Sequence, residues 1–197
     1  MRRLLPLLVA LLLVPSARSQ ALAAYVTLSP SHLSNIQTGA VYSVSGGYIN
    51  QTTSYTTVGV GGGITANFLP IGPIRLGFDL RGSTRPGTSG VDSALIGVKL
   101  GVHPPGLRLH PYIQASVGYL ASRTTNVSTP PGQTSGQAGG TFGNQYAVYE
   151  ILGGIDYPLV GPLDFRVVEI GGGSGIANFG SYNPAFFTVN TGLVVHF

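Results

Sequence analysis

The sequence predicts an all-β fold: an up-and-down antiparallel transmembrane β-barrel of about eight strands, preceded by a cleaved signal peptide. Three observations predict it. Segments of period-two alternation recur along the whole chain. Charged residues make up only 8% of the chain, against about 25% in ordinary soluble domains. No apolar run beyond the leader is long enough for a spanning helix, so a membrane crossing must be made by strands.

Residues 1–19 read as a signal peptide and 20–197 as one barrel domain. Arg2 and Arg3 precede an apolar run from Leu4 to Val14, and Ala17-Arg18-Ser19 fits a small-x-small cleavage site before Gln20. The run is shorter than the roughly 20 apolar residues a membrane helix needs. Cleavage removes Arg2, Arg3 and Arg18, so the formal charge of +4 falls to +1, with seven basic and six acidic residues left. Lys99 is the only lysine and the arginines are scattered, which excludes a nucleic-acid-binding patch. The absence of cysteine excludes disulfides and thiol chemistry.

The strands follow in order. The first is expected at Leu22 to Leu28, around Tyr25. In the second, Val58, Val60, Gly62, Ile64, Ala66 and Phe68 alternate with Gly59, Gly61, Gly63, Thr65 and Asn67. Ile74, Leu76, Phe78 and Leu80 share a face in the third, and Ala94, Ile96, Val98, Leu100 and Val102 in the fourth. Leu109, Ile113, Ala115, Val117 and Tyr119 do so in the fifth, and Ala147, Tyr149, Ile151, Gly153, Ile155 and Tyr157 in the sixth. The seventh runs from Leu163 into Ile170, with Phe165 and Val167 opposite Asp164 and Arg166. There the phase slips, since Glu169 would land on the apolar face, and a β-bulge near Val167 and Val168 would restore it. The last strand places Phe187, Val189, Thr191, Leu193, Val195 and Phe197 on one face.

The connections support the count. Short Pro- and Gly-containing links (Leu69 to Pro73, His103 to Leu107, Pro158 to Pro162) alternate with long ones at Ser31 to Thr53, Thr84 to Asp92, Ser122 to Asn144 and Gly171 to Ala185. With both termini on one side, eight strands need three short turns and four long loops. A further strand at Ala40 to Ile49 would move the count to ten.

On this register the charges converge on the lumen: Arg75, Asp79, Arg81, Lys99, Glu150, Asp156 and Arg166, with Glu169 added if the bulge turns it inward. Eight strands enclose a space that side chains just fill, so a plugged, ion-paired interior is expected, with the inward glycines making room for the arginines. Phe68, Tyr157 and Phe197 are expected in an aromatic belt at one membrane interface, Tyr119 and Phe187 nearer the other.

The pattern from leader to terminal Phe197 resembles the OmpA-type and opacity-protein-like superfamily of small outer-membrane barrels, over the whole mature chain. Gly-Gly-Ile-Asp-Tyr157 before a Pro-containing turn, Asp-Phe-Arg166, and the last strand carry the resemblance. It implies a Gram-negative-type outer membrane, periplasmic termini, a monomer in contact with outer-membrane lipid, and no cofactor. It also implies that Val189, Leu193, Val195 and Phe197 form the strand read by the barrel-assembly machinery. The role implied is structural, or a surface interaction with a ligand of the outer loops. A peptidoglycan-binding domain, common after such barrels, is not expected, the chain ending on the barrel.

Three other readings compete: a narrow small-solute channel, a lipid-modifying enzyme, and a soluble lipocalin-like binder with the apolar face turned inward. His32-Leu-Ser34-Asn35 matches the His-x-Ser-Asn motif of outer-membrane lipid A deacylases, making His32 and Ser34 the weak catalytic candidates. Such a site needs a carboxylate to orient the histidine, and no Asp or Glu occurs before Asp79. The expectation is therefore no enzyme. His103, His110 and His196 lack metal-ligand spacing and a nearby Asp or Cys in sequence, and are expected to be structural. The glycine runs at 59–63 and 171–175 lack the Gly-Lys-Ser/Thr ending of a phosphate loop.

Overall fold

The computed structural model describes residues 22–42, 48–86, 90–124, 142–176 and 183–197. The signal-peptide reading of residues 1–19 lies outside them, as does most of the 122–144 connection. Among the described residues are eight strands: β1 (Leu22–Tyr42), β2 (Tyr48–Ile71), β3 (Ile74–Arg85), β4 (Val91–Val102), β5 (His110–Thr124), β6 (Phe142–Val160), β7 (Leu163–Gly175) and β8 (Ala185–His196). Each pairs antiparallel with the next, and β1 with β8 closes the barrel. The expected connectivity therefore holds, and the ten-strand alternative falls.

Side-chain direction follows the alternation. Val26, Val60, Ile64, Phe78, Leu80, Ile96, Ile113, Val117, Ile151 and Leu193 all point outward and lie exposed. On β2 this apolar face runs from Val58 to Phe68, roughly 33 Å at about 3.3 Å per residue, close to the thickness of a bilayer core. A soluble lipocalin-like barrel would turn that face inward, so that reading is overturned. Outward aromatics stand at both ends: Phe68 stacks on Phe78 at 4.7 Å near the termini, while Tyr119 and Phe187 lie toward the long loops.

Residues 31–53 correct the sequence reading. They were expected to be a long loop, yet β1 runs to Tyr42 and β2 begins at Tyr48, paired up to Tyr42–Tyr48. The pairing of β1 with β2 carries register shifts between Leu33 and Ile36 and between Gln37 and Gly39, and beyond Ser34 the strand runs past its pairing with β8, so no single parity spans the segment. Its supply of Thr, Tyr, Ile and Val suits strand geometry regardless.

Two turns share one solution. Ile71-Gly72-Pro73-Ile74 and Val160-Gly161-Pro162-Leu163 both place glycine first, at φ 59° and 60°. A positive φ at that position followed by a fixed negative one at proline matches the right-handed twist of a hairpin. The bulge in β7 is found where the phase slip demanded it. Asp156 pairs with Arg166 but Ile155 with Val168, leaving Val167 as the extra residue. Glu169 is thereby turned inward and is 1% exposed.

The core lies inside the barrel, in layers. Toward the long loops, Leu33, Ile36, Val91, Leu95, Leu120, Val148 and Phe186 form a buried apolar cluster, with Tyr55 and Tyr146 packed on it. Toward the termini, Ala23, Tyr25 and Val194 form a smaller one. Between them sits the charge.

Candidate functional site

Among the described residues, five cations (Arg75, Arg81, Arg85, Lys99, Arg166) and five carboxylates (Asp79, Glu150, Asp156, Asp164, Glu169) line the interior. All seven lumen charges expected from sequence are there. Arg85 and Asp164 were missing from the expected set, although each keeps the parity of an inward neighbour, Arg81 and Arg166. Arg85 was assigned to a loop that the longer β3 absorbs, and its guanidinium donates to Ser31 and Ser83, both at 2.9 Å.

Arg81 is the hub. Its Nε donates to Asp79 Oδ1 at 3.1 Å, Nη1 to Glu169 Oε1 at 3.1 Å and to Glu150 Oε2 at 3.4 Å, and Nη2 to Glu169 Oε2 at 3.2 Å. Asp79 also accepts from Tyr25 Oη at 2.9 Å, Thr65 Oγ1 at 2.8 Å and Gln114 Nε2 at 2.8 Å. Glu169 accepts from Tyr112 Oη at 2.6 Å and Asn190 Nδ2 at 2.7 Å. Arg166 holds Asp156 through Nε at 3.0 Å and Nη2 at 3.4 Å, and its Nη1 lies 3.2 Å from Glu169 Oε2. Its guanidinium sits between two aromatic rings, 4.3 Å from the Tyr25 centroid and 5.1 Å from that of Tyr112. Buried charge of this density persists because nearly every acceptor is filled by a donor.

The inward glycines serve this arrangement differently from the expectation. They were expected to accommodate arginines, but at two positions the neighbour is a tyrosine. A Cβ on Gly63 would lie 2.5 Å from the Tyr25 hydroxyl, and one on Gly154 2.5 Å from Tyr112. Gly59 does lie under an arginine, Arg85. The tyrosines, not the arginines, are the wide groups that must cross the lumen to reach their carboxylates.

Toward the termini the histidines converge, which sequence spacing did not reveal. His196 Nε2 donates to Asp164 Oδ2 at 2.9 Å, and His110 Nδ1 lies 3.9 Å from the same oxygen. The His103 and His110 rings face each other with centroids 4.2 Å apart. The expectation of no nearby aspartate is therefore corrected: β5, β7, β8 and the turn after β4 bring these residues together from positions up to 93 apart in number. His103 lies outside the strands, where burial and the adjacent His110 hold its pKa down to about 4. Lys99 lies 3.6 Å from Asp156 and over the Tyr112 ring, 3.8 Å from its centroid.

Two small cavities flank the network. One, of about 30 Å³, lies between Arg81 and the apolar cluster, and the other, of about 40 Å³, is bordered by Arg75, Lys99 and the histidines. Each has room for only a few waters. His32 and Ser34 lie elsewhere, in the middle of β1. His32 is exposed and its Nδ1 pairs with Thr56 Oγ1 at 3.0 Å rather than with a carboxylate. The last strand sits at the barrel seam, where the Phe197 amide donates to the Leu22 carbonyl at 2.8 Å. Leu193 and Val189 face outward beside it, as expected.

No protein-family model matches the chain, and no curated protein sequence does. Solved structures do. A major outer membrane protein from Thermus thermophilus is 11% identical, with a TM-score of 0.50, covering 87% of this chain and 99% of its own. The N-terminal β-barrel domain of Pseudomonas aeruginosa OprF is 13% identical, with a TM-score of 0.49, covering 88% of this chain and 97% of its own. Ail, the attachment invasion locus protein of Yersinia pestis, is 8% identical, with a TM-score of 0.42, covering 87% and 97%. Identities this low speak to fold alone. Together with the closed order of β1 to β8 and the greasy exterior, the match to the Thermus thermophilus protein establishes that the chain has the fold of the outer-membrane β-barrels.

Proposed function

We propose that the protein is a monomeric outer-membrane barrel with periplasmic termini, acting at the cell surface through its loop end. The observation that carries this reading is the uneven strand length. β3, β4 and β8 have 12 residues each, close to one bilayer crossing, whereas β1 has 21 and β2 has 24. At about 3.3 Å per residue, the β1–β2 hairpin projects roughly 30 Å beyond its neighbours. The interior favours this reading over a channel, since the ion-paired layer and the apolar cluster above it occupy the lumen. An enzyme reading gains no support from His32, whose ring is taken by Thr56.

Surface tagging tests the orientation. An epitope inserted at Gly46 should be stained by antibody on intact cells, and one at Gly106, in the turn after β4, only after permeabilisation. The reverse pattern would overturn it. In planar bilayers the purified protein should show no discrete conductance steps; regular steps would replace the closed-lumen reading with the channel.

Assembly is expected to depend on the last strand being recognised by the insertion machinery. Deleting Phe197 removes both the terminal ring and the seam hydrogen bond to Leu22. The yield of folded barrel in the outer membrane should fall several-fold, while refolding of the purified chain in detergent changes little. Equal yield in cells would remove the strand's signal role.

A further inference from the structure

The cavity at the terminal end is built for a negative guest. Its charged lining is Arg75 from β3, Lys99 from β4, Asp156 from β6 and Asp164 from β7, with Tyr112 of β5, Thr65 and Asn67 of β2, and the three histidines. Asp156 is already held by two hydrogen bonds from Arg166 and Asp164 accepts from His196, so both carboxylates that oppose Arg75 and Lys99 in the lining are engaged. His103 Nδ1 and His196 Nδ1 are both buried and have no hydrogen-bond partner. Where these ring nitrogens carry a proton, two orphaned donors beside two cations call for a ligand with several acceptors. A metal ion would be repelled by Arg75 and Lys99, and among the described residues no group of three ligating side chains has the geometry to hold one.

We propose that this cavity binds a small tetrahedral oxyanion, phosphate or sulfate, with Arg75 and Lys99 supplying charge and His103 and His196 donating through their free Nδ1 positions. The cavity of about 40 Å³ has room for about three waters, which the ion would displace. His196 Nε2 already donates to Asp164, so a proton on its Nδ1 makes an imidazolium held between carboxylate and anion. His103 is neutral near pH 7 in the empty cavity, because burial and His110 oppose its charge. A dianion beside it reverses the sign of that effect. Binding therefore takes up protons, and affinity rises as pH falls. Strands wall the cavity on its sides, so the guest is a free ion entering from the terminal end rather than a lipid headgroup.

Sulfate is the appropriate probe, because it remains a dianion where phosphate itself titrates. Histidine ring signals would be followed by NMR during sulfate titration of the full barrel in a sugar detergent, at constant ionic strength against chloride. The signals of His103, His110 and His196 should move saturably, with binding about tenfold tighter at pH 5.5 than at 7.5, the change expected when the bound anion restores His103 from about 4 to its ordinary value of 6.5. Arg75→Gln and Lys99→Gln should each weaken binding at least about fivefold, and His103→Gln should flatten the pH dependence, in barrels that keep their heat-dependent gel migration. Shifts that fail to saturate, that chloride reproduces, or that persist unchanged in folded Arg75→Gln would overturn the proposal. Displacement of sulfate by added phospholipid would assign the site to a headgroup and overturn the free-ion assignment.

Discussion

Replacing Arg81 by methionine should destabilise the barrel by about 3–5 kcal/mol, the range for breaking a buried ion pair from one side. Arg81 is 11% exposed and touches Asp79, Glu150 and Glu169, which are 1–4% exposed. Methionine fills much of the volume and leaves three carboxylates facing one another. Arg166 still reaches Glu169, so the loss falls mainly on Asp79 and Glu150. The measurement is a denaturant titration in detergent or lipid vesicles, read by heat-dependent gel migration. Adding Glu150→Gln to Arg81→Met should recover part of the loss, because it removes one uncompensated charge without changing shape. A single variant within about 0.5 kcal/mol of the parent would mean that the ionic layer is not what holds the lumen together.

The second large effect is expected on the opposite side of the wall. Val98 points outward near the middle of β4, between Phe78 and Ala115 on the neighbouring strands. Arginine there should cost about 2–4 kcal/mol in a bilayer, the range for charge at the midplane of a barrel's lipid face. The same substitution in a water-soluble sheet exposed to this degree would be nearly neutral. The comparison of folding in lipid vesicles therefore reports what the outer face touches. An unaffected Val98→Arg barrel would place that face in water.

The fold was legible because its determinants are local. Alternation in β3 to β8 needs only parity, and one break in parity at Glu169 located a bulge that the pairing of Asp156 with Arg166 and Ile155 with Val168 confirms. Parity also placed Arg81, Asp79 and Arg166 inside. It failed at residues 31–53, where the apolar residues of the sequence do not recur at a strict period of two and the pairing of β1 with β2 carries register shifts. Arg85 was lost with the strand end that carries it. The histidine–Asp164 cluster was illegible for a different reason. His103, His110, Asp164 and His196 belong to three strands and a turn, and the stagger and curvature of β5 to β8, not sequence spacing, make them neighbours. Nor did spacing reveal the apolar cluster: Leu33, Leu95, Leu120 and Val148 occupy inward positions that a polar lumen would not favour, and their meeting at one height depends on strand stagger.

The central claim is a closed barrel in lipid with its charge inside and its greasy face out. It is tested most directly by expressing the full chain in a Gram-negative host and running the outer-membrane fraction on a gel, unheated and boiled. The protein should be recovered in the membrane fraction and change its migration clearly on boiling. Recovery in the soluble periplasm with a single heat-independent band would contradict it.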